Sequence, residues 1–126
     1  MLGGILMMLG VILGAFGYHY LSDKLSEENL AIFNKAVYYQ IIHALAILIV
    51  GVIEISHPKI RLEDTGILFF IGILLFCGSL HILIFYKDSM FEPLKYFFVF
   101  CTPAGGLFFI AGWIAFVFQT AKLYKK

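Results

Sequence analysis

The chain has 126 residues, of which 62% are hydrophobic and only 13% charged. A soluble domain carries about a quarter charged residues and under half apolar ones, and a small domain leaves too much surface exposed to hide such an excess from water. The net charge of +1 gives no electrostatic basis for binding nucleic acid or an acidic substrate. These figures point to a single all-α integral membrane domain over residues 1–126, whose only certain surroundings are membrane lipids.

The first predicted element is a spanning helix over residues 2–21. A span needs about 20 mostly apolar residues. It is not read as a secretory signal peptide, because such a segment opens on a basic stretch and ends on a small-residue cleavage site, and here no Lys or Arg precedes Lys24. Gly10-xxx-Gly14, with Gly3 and Gly17 nearby, predicts tight packing. Helices in lipid associate where small residues let backbones approach.

A second span is predicted over residues 36–55. Ahead of it, Ser26-Glu27-Glu28-Asn29 offers an N-cap hydroxyl and a first turn of acidic residues, the signature of a helix start. Leu30, Phe33, Val37 and Ile41 follow at helical spacing. An amphipathic turn or two at the membrane interface should therefore run straight into the span. Pro58 ends it. The third span is predicted over residues 65–86, closed by Lys87-Asp88.

The fourth span, residues 103–121, is predicted to start at Thr102-Pro103, which matches an N-cap followed by proline at the first helical position. One other reading stays open: a single helix from about Leu94, kinked at Pro103. Gly105 and Gly112 are seven apart and share a face, and Gly106 adds a further small position. Cys77 and Cys101 both lie in apolar runs and form no CxxC pair, so they read as packing residues. With four spans, the N-terminus, second loop and tail share one side. That side holds five basic residues, Lys125 and Lys126 among them, against four on the other. The positive-inside rule then favours cytoplasmic termini.

Polar side chains within spans are costly and are the default functional candidates. His19 stands near the end of the first span, Gln40 and His43 near the start of the second, His81 near the end of the third, and Thr102 at the cap of the fourth. Counting from those ends places all five toward one face of the bundle. Three readings compete for them. They hydrogen-bond one another as interhelical glue; or they bind a metal, a haem, a quinone or a lipid headgroup; or they relay protons or line a small-solute path. No acidic or thiolate partner accompanies the imidazoles, so no metal or cofactor is expected. No nucleophile–base pairing or phosphate loop appears, so no enzyme is expected either. Glu54 and His57, at the opposite face, read as interfacial and solvated. Trp113 falls mid-span, where its indole N–H needs a partner inside the bundle.

In chain order the polar and glycine sites run Gly14-Ala15-Phe16-Gly17-Tyr18-His19, Tyr38-Tyr39-Gln40-Ile41-Ile42-His43-Ala44, Cys77-Gly78-Ser79-Leu80, Thr102-Pro103-Ala104-Gly105-Gly106 and Gly112-Trp113. From about residue 3 to 120 the chain resembles the domain-of-unknown-function 423 family, small four-helix membrane proteins that include bacterial inner-membrane proteins and are similar to transmembrane protein 256. Two positions depart from the family pattern: tyrosine is more usual where His81 stands, and alanine where Tyr18 stands. The resemblance implies four spans, a membrane location and no established catalytic activity. It also implies a connection with membrane integrity and stress tolerance. The expectation is a small non-enzymatic protein of the bacterial inner membrane that supports membrane integrity or accompanies a larger complex, or assembles with itself. A binding module for lipid, quinone or haem and a small channel or carrier are the alternatives.

Overall fold

The computed structural model describes residues 1–86 and 89–123; the predicted flank Lys87-Asp88 and the tail cations Lys125 and Lys126 lie outside the described residues. Among the described residues four helices are long and apolar enough to cross a bilayer: α1 Leu2–Leu21, α2 Glu27–Ser56, α3 Glu63–Tyr86 and α4 Glu92–Thr120. The chain is thus an all-α integral membrane bundle.

α2 begins where the capping pattern places it. The Ser26 hydroxyl accepts the Asn29 backbone N–H at 3.2 Å, and Glu27 and Glu28 occupy the first turn. Phe33 and Val37 are buried, with Leu30 and Ile41 half-buried beside them. At 30 residues α2 is about 45 Å long, more than the about 30 Å of hydrocarbon requires.

α4 corrects the prediction for the fourth span. It starts at Glu92 rather than at Pro103, and Pro103 lies inside it. The proline that serves the first turn is Pro93, next to Glu92, where the missing N–H costs nothing. Thr102 is therefore no cap, and the aromatic segment before Pro103 is helical.

Two wide π-helical turns were not legible in the sequence, one closing α1 over Gly17–Leu21 and one within α3 over Ile73–Gly78. The second is dressed by side chains just beyond it. Ser79 Oγ donates to the Phe76 carbonyl at 3.1 Å and His81 Nδ1 donates to the Cys77 carbonyl at 2.6 Å. The link between α2 and α3 is also tied: the Glu54 carboxylate accepts the Leu62 backbone N–H at 2.6 Å. Glu54 thus has a structural partner instead of being simply solvated, whereas His57 is exposed.

Backbone contacts run chiefly between consecutive helices, α1 on α2, α2 on α3 and α3 on α4. The main core gathers Leu6, Ala36, Ala44, Phe69, Ile73, Cys77 and Phe109, and a smaller one joins Leu21, Phe33, Val37 and Ile84. Cys77 and Cys101 are both buried and free.

Glycine contacts revise the packing motif. A Cβ on Gly3 would meet the Ala44 carbonyl at 2.8 Å, one on Gly10 the Ile41 side chain at 2.8 Å, and one on Gly17 the Phe33 ring at 2.6 Å. These three positions are seven apart, so the close seam against α2 follows a heptad rather than Gly10-xxx-Gly14; Gly14 leaves ordinary room at 3.5 Å. On the other seam, Gly105 meets the Phe76 backbone and Gly112 the Phe69 ring, while Gly106 leaves ordinary room. Gly72, unremarked in the sequence, also lies in close approach, against the Phe109 ring.

Candidate functional site

The five polar residues expected at one face do not converge. His19 is exposed on the π-helical turn that ends α1, its ring edge-on to Tyr18 at 5.0 Å. The other four divide among three sets of contacts, although Gln40 and His81 line one groove and Thr102 meets Ser79 two residues from His81.

Gln40 and His43 lie at the level of the middle of α1 and the first half of α3. Gly10 of α1 faces Gln40, and His43 packs against Phe69. The glycine seam sets that level, pairing α1 with residues 33–48 of the longer α2. Gln40 Nε2 donates to the Leu6 carbonyl at 3.0 Å, a buried tie from α2 to α1.

His43 makes the most completely satisfied contact. Its ring lies flat on Phe109, centroids 3.5 Å apart and planes 11° off parallel. Nδ1 faces the Tyr39 carbonyl at 2.8 Å, and Trp113 Nε1 donates to Nε2 at 3.2 Å. A carbonyl only accepts and an indole N–H only donates. These partners therefore fix the neutral tautomer, with the proton on Nδ1 and the lone pair of Nε2 engaged by Trp113. The partner required for the Trp113 indole is thus His43, across from α4 to α2. Metal or haem ligation through Nε2 would have to displace that bond.

Thr102 and Ser79 form the third tie, from α4 to α3, with hydroxyl oxygens 2.7 Å apart. Each hydroxyl has one proton. Each also has a carbonyl acceptor on its own helix, Phe76 at 3.1 Å for Ser79 and Phe98 at 3.4 Å for Thr102, so either hydroxyl can donate across the pair and the tie holds both ways. A fourth tie, absent from the prediction, joins the other end of the same helices: Thr65 Oγ1 donates to Gln119 Oε1 at 2.7 Å, and Thr65 is fully buried. Ser79, Thr65 and Gln119 were findable by the rule that marked the others, since each is a polar residue within or at the edge of an apolar run.

His81 stands apart. Its Nδ1 is bound to the Cys77 carbonyl, and Phe33 packs edge-on to the ring at 4.9 Å. Nε2 is buried and has no hydrogen-bond partner among the described residues. The ring lines a groove of about 530 Å³ between α1 and α3. A second groove, of about 570 Å³ between α2 and α4, is lined by His43, Phe109 and Trp113, whose polar atoms are already paired. Among the described residues no three His, Cys, Asp or Glu side chains are grouped so as to hold a metal ion.

Known proteins similar to this chain are named as membrane proteins. The family profile described as "Protein of unknown function (DUF423)" matches residues 13–106. A UPF0382 membrane protein of Staphylococcus haemolyticus is 39% identical over 121 residues, covering 96% of this chain and 93% of the relative. One from Staphylococcus aureus is 40% identical over the same shares, and one from Staphylococcus saprophyticus is 38% identical over 97% of this chain and 95% of the relative. No solved structure matches significantly.

Proposed function

The chain belongs to the DUF423 family of membrane proteins, and on that premise we propose that it is a non-enzymatic structural protein of the bacterial cytoplasmic membrane, both termini on the cytoplasmic side. In this reading it supports membrane integrity or acts as an accessory to a larger membrane complex. One observation carries it: the polar side chains within the spans tie helix to helix. Gln40 joins α2 to α1, Trp113 joins α4 to α2, and Thr102 and Thr65 join α4 and α3. Such bonds contribute about 0.6 to 2 kcal/mol each in a membrane. Side chains that hold the bundle together in this way are poorly placed to move protons or bind substrate.

The outer surface is apolar on every helix. Ile12, Val52, Ile67 and Phe118 are exposed on four different helices, so every helix offers apolar area to lipid or to a neighbouring membrane protein. The basic residues, five to four in favour of the side that holds the termini, support the orientation.

The test is native mass spectrometry of mild membrane extracts together with deletion of the chain from its host. The expected result is co-release with a larger membrane protein, and raised dye permeability of the deletion strain under osmotic stress. Release as a free chain, with permeability unchanged, would overturn the proposal. Reporter fusions at each terminus check the orientation.

A further inference from the structure

The groove between α1 and α3 goes beyond this structural reading. Leu9, Ile12, Leu74 and Phe85 line it and are themselves exposed, so it opens sideways, toward acyl chains rather than toward water. Its volume of about 530 Å³ falls among small-molecule sites, which run from about 300 to 1,000 Å³. No Lys, Arg, Asp or Glu lines it, so neither a phosphate nor an ammonium headgroup finds a counter-charge there.

Two polar residues stand in this mostly apolar lining: Gln40, whose Nε2 is tied to the Leu6 carbonyl, and His81, whose own Nε2 is buried and has no partner among the described residues. Nδ1 faces the Cys77 carbonyl and so carries the proton of the neutral ring. Nε2 is therefore a hydrogen-bond acceptor, and a buried acceptor left unmatched is costly where no water can reach it. What satisfies it must be a donor. A quinone, an ester or an ether offers only acceptors; a hydroxyl offers the donor.

We propose that this groove binds an uncharged, membrane-dissolved lipid bearing a free hydroxyl, which donates to His81 Nε2 while the hydrocarbon body lies between α1 and α3. Nε2 is covered at rest, so entry requires a side chain to turn aside. Phe33, edge-on to the His81 ring at 4.9 Å, and Phe85, exposed and edge-on to Phe33 at 6.3 Å, both line the groove. Two sources share this chemistry, an acyl-chain alcohol and an isoprenoid quinol.

The full chain in nanodiscs of phosphatidylcholine and phosphatidylglycerol, exposed to hexadecanol carrying a chain diazirine, tests this by photolabelling mapped with mass spectrometry. Label is expected on the facing segments of α1 and α3. Unlabelled hexadecanol or decyl ubiquinol should displace it, and the stronger of the two identifies the source. Hexadecyl methyl ether and decyl ubiquinone, which lack the donor, should compete about fivefold less well, the effect of one hydrogen bond. His81→Phe should lower labelling by a similar factor. Equal competition by the ether and the alcohol on the unaltered protein would overturn the proposal without recourse to any variant, and would indicate that a water or nothing specific meets Nε2. Labelling undiminished in His81→Phe, or confined to other helices, would overturn it as well.

Discussion

His43 in α2 and His81 in α3 make the same first hydrogen bond, each giving Nδ1–H to the carbonyl four residues earlier, Tyr39 at 2.8 Å and Cys77 at 2.6 Å. They part at Nε2. For His43 that nitrogen accepts the Trp113 indole N–H from another helix, and the ring is stacked on Phe109. For His81 it has no partner among the described residues and lies beside an open apolar groove. The residue type is constant, so the neighbours decide its task. A histidine whose second nitrogen is engaged by another helix holds the bundle together, whereas one whose second nitrogen is unmatched makes no such tie.

The comparison breaks most sharply at its support. Gly105→Val would drive a side chain into the backbone of α3 at Phe76 and push α4 away. The expected cost is about 3 kcal/mol. Trp113 is the only tryptophan, so its fluorescence during unfolding by SDS in mixed micelles reads this site directly. Trp113→Phe keeps the ring but removes the N–H, leaving His43 Nε2 unmatched. A loss of about 1 to 2 kcal/mol is expected in SDS unfolding followed by circular dichroism. His81→Phe sharpens the contrast, because it removes an unmatched acceptor along with one local bond. A change below about 1 kcal/mol is expected in the same titration. A loss as large as that of Trp113→Phe would make His81 a structural residue like His43. The smallest effect is expected for Gly14→Ala, within about 0.5 kcal/mol, since a Cβ there meets Val37 only at 3.5 Å. Gly10→Ala, against Ile41 at 2.8 Å, should cost measurably more by the same assay.

Legibility in the sequence varied by element. The start of α2 was readable because Ser26 caps Asn29 within a single turn, an interaction fixed by local spacing. The start of α4 was misread because two prolines compete for the same signature; Pro93 holds the first turn and Pro103 is carried inside the helix. The glycines were legible as packing residues but not as a seam. Gly10-xxx-Gly14 is the familiar motif, yet Gly3, Gly10 and Gly17 make the close approach. Of the polar set, the need of Trp113 for a partner was clear, while the choice of His43 was not.

The sequence alone determined four spans, their order, the capped amphipathic entry to α2 and the membrane as solvent. These follow from runs of apolar residues and from contacts within one turn, which need no knowledge of neighbouring helices. The tertiary structure decided how each helix is rotated and at what level it meets the next. It turned His19 outward, brought Trp113 onto His43, paired Thr102 with Ser79 and left His81 beside a groove. The physical reason lies in the solvent. In a bilayer the lipid-facing and buried sides of a helix are both apolar, so the pattern that reveals rotation in a water-soluble helix is nearly erased. Only the packing of side chains against one another restores it.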